Sequence, residues 1–221
     1  MSETSDITLE ALAARLAPHC LEVLGGFNPD PGEAGFPRGT RTLVLIGPAE
    51  PGYWPHLTAQ PEWDGAPDPV DRWSRRVLGR LACDLGAKAL FPFGGPPFYP
   101  FYPWALRSGR AWDSPVRLLV HESQGLMVSF RGALALKQHL TIPRGVKPCA
   151  SCADAPCLTA CPAGALGADG YDVPACHLYL DTPAGQPCLS RGCVTRRACP
   201  VSAGYARMEE QSAYHMRQFH R

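Results

Sequence analysis

Eight of the ten cysteines fall between Cys149 and Cys199, and this crowding constrains the chain more than any other feature. They run Cys149-x2-Cys152-x4-Cys157-x3-Cys161-Pro162, then Cys176, then Cys188-x4-Cys193-x5-Cys199-Pro200. Cys20 and Cys83 stand alone before them and read as packing residues on helices. The start, residues 1–6, is polar and acidic. It has neither the basic n-region nor the apolar h-region of a signal peptide, so a cytoplasmic location is expected. Thiols stay reduced there, and clustered cysteines then read as metal ligands in preference to a disulfide framework. The composition shift puts the expected boundary at residues 140/141. A 1–140 domain is followed by a 141–221 cysteine module with a C-terminal tail.

The chemistry explains the count. Each iron of a [4Fe-4S] cube takes one thiolate, so two cubes take eight. The run C-x2-C-x2-C-x3-C-P wraps one cube with three cysteines and sends the fourth, before proline, to the other. The first run here carries two extra residues in its second gap. The expected ligand sets are Cys149, Cys152, Cys157 and Cys199 for one cluster, and Cys161, Cys176, Cys188 and Cys193 for the other. Structural zinc is the competing reading. It uses paired C-x2-4-C knuckles, which only Cys149/Cys152, Cys157/Cys161 and Cys188/Cys193 satisfy, and it leaves both Cys-Pro pairs unexplained.

The remainder predicts an α/β or α+β domain, a sheet flanked by helices. Leu9, Leu12 and Leu16 share a helical face. Arg41–Gly47 reads as a buried strand. Asp68-Pro-Val-Asp71 opens a helix, with Asp68 as side-chain cap, and Val70, Trp73, Val77, Leu78, Leu81 and Leu85 follow at helical spacing. Lys88–Phe93 is a short strand, and Val116–His121 with Gly125–Arg131 is an expected hairpin. A net charge of +1 argues against a dedicated nucleic-acid binder, and no uncharged apolar run approaches the roughly 18 residues of a membrane span.

The segment Cys149 to Pro200 is similar to the ferredoxin module of epoxyqueuosine reductases. The likeness includes Cys157-Leu-Thr-Ala-Cys-Pro-Ala-Gly-Ala165 and Tyr171-Asp-Val-Pro-Ala-Cys-His-Leu-Tyr-Leu180. Roughly residues 40–136 resemble the cobalamin-binding module those reductases share with the cblC-type cobalamin decyanase/dealkylase. The matching pieces are Thr42-Leu-Val-Leu45, Asp68-Pro-Val-Asp71 and Ser129-Phe-Arg-Gly-Ala-Leu134. The resemblance implies a nitroreductase-like sheet carrying a cobalamin, followed by the small 2[4Fe-4S] module. It places Phe93, Gly94, Gly95 and Arg131 at the cofactor. Arg131 aligns with an arginine that helps hold an anionic thiol partner, and a solvent-facing strand-end arginine is the plainer alternative.

Epoxyqueuosine reductases carry a proton-donating aspartate in the loop that here reads Gly94-Gly-Pro-Pro97. Without that acid, the implied activity shifts to reducing cobalamin or removing its upper ligand. The family also continues past this module into a tRNA-binding repeat domain, for which the residues after Cys199 leave little room. An electron donor or acceptor protein is the expected partner. A stand-alone electron-transfer ferredoxin, whose first domain docks partners, is the alternative. The aromatic stretch from Phe91 to Trp104 reads either as a wall for a flat macrocycle or as an ordered loop packed on the sheet. His121 reads as structural, His177 as a residue able to tune a cluster beside Cys176, and His215 and His220 as solvated.

Overall fold

Residues 7–220 are described by a computed structural model; the polar start, residues 1–6, lies outside them. The chain folds into two units. The first comprises the chain up to Arg110 together with Ser129–Gly145, and the second comprises Ala111–Val128 together with the chain from Val146 onward. Residues 111–128, which sequence reading placed in the first domain, thus belong with the cysteines.

In chain order the first unit contains α1 (Leu9–Leu16), β1 (Leu21–Phe27), β2 (Thr42–Pro48), α2 (Tyr53–Thr58), α3 (Pro69–Asp84), β3 (Lys88–Leu90) and α4 (Phe101–Arg107). The second unit begins with β4 (Ala111–Asp113) and β5 (Leu119–His121), and β6 (Gly132–Leu136) returns to the first. The second unit then continues with β7 (Leu166–Gly167), β8 (Gly170–Tyr171), α5 (Val173–Leu180), α6 (Gln186–Arg191), α7 (Val194–Ala198), α8 (Pro200–Gly204) and α9 (Glu209–Phe219).

Strands of the first unit form an antiparallel sheet in the order β1-β2-β6-β3, and with its helices the chain is α+β. Every residue of β2 and β6 is buried, as their apolar runs require of central strands. Helix α3 packs on β3 and β6 and buries Val70, Trp73, Val77, Leu78 and Leu81. Its start lies where the Asp-Pro signal places it, but by a different device. Asp68 adopts left-handed geometry and its side chain makes no cap bond. Its carbonyl instead accepts from the Asp71 and Arg72 N–H groups at 3.1 and 3.0 Å.

Four expectations are corrected. Strand β1 was not foreseen; Gly25-Gly26 interrupts its apolar pattern, and the register shifts between Val23 and Gly25. Strand β3 stops at Leu90, before Pro92, which has no N–H for a ladder. The hairpin of 116–121 with 125–131 is reduced to a single antiparallel bridge, His121 with Gly125. β5 pairs with β4, and the sheet strand begins later, at Gly132. The reason is that beyond Gly125 tertiary partners take the backbone: the Leu126 N–H donates to Ser202 Oγ (2.8 Å), while Arg196 and Arg207 donate to the Leu126 and Met127 carbonyls. Cys83, read as a packing residue, is exposed on α3. Among the described residues no helix is long and apolar enough to cross a membrane.

Candidate functional site

The second unit gathers the eight clustered cysteines as two quartets. Short proline-led turns supply much of the first. Cys149 sits in the turn Pro148–Ser151, Cys157 in Pro156–Leu158, and Cys199 at the start of α8, before Pro200. Proline fixes φ and lacks an N–H, so it starts each turn at little cost. Cys149, Cys152, Cys157 and Cys199 all line one cavity of about 370 Å³, together with Ser114, Val120, Leu126 and Val201. Its apolar wall comes from the 111–128 segment: Val120 and Leu126 line it, and both pack with Val116, Cys157 and Cys199.

Two details distinguish the surroundings of this cavity. Ser114 Oγ is buried and has no hydrogen-bond partner among the described residues, a cost of about 1–3 kcal/mol if left so. Gly125, at φ +57°, lies so close that an added Cβ would stand 3.0 Å from Cys199 Sγ and 2.5 Å from the Ser202 N and Oγ atoms. Burial, more than any neighbour, pushes the Cys149 and Cys157 thiols up. Cys152 and Cys199 raise both further, and Lys147 partly offsets this at Cys149.

The second quartet is Cys161, Cys176, Cys188 and Cys193. Burial again leads in raising the Cys176 and Cys188 thiols, and both also feel Cys161 and Cys193. Three donors work the other way. Tyr171 donates its hydroxyl to Cys176 Sγ at 3.3 Å, the Val194 backbone N–H bonds to Cys188, and Arg197 lies near Cys188. Burial and the sulfur neighbour drive the Tyr171 phenol far above its usual range.

Beside Cys176 a chain of polar groups closes the unit. His177 Nδ1 lies 2.7 Å from His220 Nδ1, and His220 Nε2 lies 2.9 Å from Asp181 Oδ1. Phe219 packs on both His177 and Tyr171. His220 is therefore not solvated: α9 returns it to α5, a placement that no local sequence signal reports. His121 is buried, and its Nδ1 lies 3.3 Å from the Ser123 N–H and 3.1 Å from Ser123 Oγ, so it serves the turn.

In the first unit, Arg131, Phe93 and Gly94 converge on the first half of α3. Arg131 is largely buried, with its guanidinium 3.7 Å from Asp71 Oδ1, which corrects the solvent-facing alternative. Its Nε has no partner among the described residues. Burial raises the Asp71 carboxyl, and Arg131 and Arg75 pull it back down. Arg75 lies 5.2 Å above the Phe93 ring and against Gly94. Gly95 instead faces Phe98. The aromatic stretch divides: Phe101 and Trp104 are buried, whereas Phe98, Tyr99 and Tyr102 are exposed.

Among the described residues, no three or more His, Cys, Asp or Glu side chains are placed to hold a metal ion. In comparisons with family models, with curated proteins and with solved structures, the chain matches none.

Proposed function

We propose that this chain is an iron–sulfur redox protein. In this proposal each quartet holds one [4Fe-4S] cluster, and the first unit, with Arg131, Phe93, Gly94 and Gly95, holds a cobalamin or another electron-accepting cofactor. The observation that carries it is the sorting of eight thiols into two sets of four, one set lining a cavity with an unpartnered hydroxyl. Paired zinc knuckles would leave both Cys-Pro pairs unexplained, whereas two cubes that take one thiolate at each iron use all eight cysteines.

Such clusters, when bound, supply one-electron transfer at potentials set by hydrogen bonding and burial. The chain's own residues have definable tasks. Val116, Val120 and Leu126 keep water from the first quartet. Ser114 offers a hydroxyl to the same cavity. Tyr171, the Val194 N–H and Arg197 favour the thiolate form in the second quartet. The nitroreductase-like fold, the ferredoxin-like module and a role in reducing cobalamin or removing its upper ligand belong to the same proposal. They rest on the resemblance described above.

The test is iron, sulfide, zinc and cobalt analysis of anaerobically purified protein, followed by gel filtration with cobalamin. About eight irons and eight sulfides per chain, with a broad absorption near 400 nm that bleaches on reduction, is the expected result. Retained cobalamin selects the cofactor-processing reductase, and clusters without it select the electron-transfer ferredoxin. Zinc in place of iron overturns both.

A further inference from the structure

We propose that the second unit carries an anion site for a single phosphate group, in a cavity separate from the cysteine-lined one. This cavity, of about 180 Å³, is lined by Arg191, Arg197, Arg207, Glu209, Ser202 and Ser212, with Met127, Ala203 and Ala206 closing its floor. Three guanidinium groups face one carboxylate, so the lining carries an excess of two positive charges. The bond of Arg197 does not use up its donors. Arg197 donates Nε to the Gly192 carbonyl at 3.1 Å, which leaves its Nη groups for a ligand. Arg191 reaches Glu209 Oε1 through Nε at 2.8 Å and Nη2 at 2.7 Å. Arg207 is anchored by Nη1 on the Met127 carbonyl at 2.9 Å.

An anchored guanidinium loses little further freedom on binding, and its planar fork matches the oxygens of a phosphate. Size narrows the ligand. The volume is well above the roughly 30 Å³ share of a water molecule, so a tetrahedral oxyanion or the terminal group of a phosphate monoester fits, and the cationic, hydroxyl-bearing lining favours that group over an apolar ring. Glu209 stands in the site as an internal competitor, held by the arginine that the ligand would share.

Isothermal titration of the full chain, purified anaerobically, tests the site with inorganic phosphate, with AMP, and with chloride at matched ionic strength. Phosphate is expected to bind saturably and chloride not. Equal binding of AMP identifies the end of a monoester, and phosphate alone identifies a free ion; either supports the site. Arg197→Gln should weaken binding by about tenfold or more. Glu209→Gln should tighten it, because the competing carboxylate is gone, a gain that a merely structural role for these residues would not produce. Should Arg197→Gln fail to fold, Arg191→Gln, whose side chain is exposed, carries the same expectation. The absence of saturable binding at millimolar phosphate overturns the proposal, as does an affinity unmoved by these substitutions.

Discussion

Replacing Tyr171 with Phe removes one oxygen and leaves the ring that stacks on Phe219. The lost contact is the O–H···S bond to Cys176 at 3.3 Å. A hydrogen bond to a charged acceptor is worth about 1.5–3 kcal/mol, and only the part that differs between oxidation states moves a potential. Reduction places more negative charge on the ligand sulfur, so the hydroxyl stabilises the reduced form more. If about 1 kcal/mol of the bond is differential, loss of the hydroxyl lowers the one-electron midpoint by roughly 40 mV. Anaerobic redox titration followed by electron paramagnetic resonance reads this directly. If each quartet holds a cluster as proposed, one of two signals should move, and the other, assigned to Cys149, Cys152, Cys157 and Cys199, should stay. A shift upward, or a change below about 10 mV in both signals, would refute the assignment of Tyr171 to the second cluster.

The ligand sets can be separated by single substitutions. Cys199→Ser should deplete the cluster of Cys149, Cys152 and Cys157, and Cys161→Ser the other, and metal analysis of each with the Tyr171→Phe background shows whether the shifted signal survives. Gly125→Ala places a methyl against Ser202 and Cys199 in a left-handed backbone; a stability loss of about 2–4 kcal/mol by chemical denaturation is expected, with lowered iron content. The pH dependence of the first unit has a defined sign at His19. Burial first, then His56 and Arg76, lower its folded value. Its contribution is therefore present above the ordinary value of about 6.5 and lost as pH falls through the folded value. Denaturation midpoints should drop as pH falls below about 6.5, and His19→Asn should flatten that drop; an equal drop in both proteins removes His19 from the explanation.

Local chemistry made part of this protein legible without coordinates. The apolar run at 42–48 could only be a buried strand, and Asp68-Pro69 could only open a helix, because burial and proline geometry act within a few residues. The number of clustered thiols and their prolines likewise carried the iron–sulfur expectation, which remains the proposal made above. What lay beyond that reach was decided by long-range contacts. Residues 125–131 read as a strand, yet Ser202, Arg196 and Arg207 take the backbone groups of Leu126 and Met127, so only the His121–Gly125 bridge of that hairpin remains, β5 pairs with β4 and the central strand starts at Gly132. His220 looks like a solvated tail residue until α9 returns it to His177 and Asp181. Cys149 and Cys199 reach one cavity only because the chain between them folds back, and Ser114 reaches it from a segment that the sequence assigns elsewhere. Spacing records which side chains are neighbours along the chain; only tertiary packing, which satisfies each backbone group with whichever partner is nearest in space, decides which of them share a site.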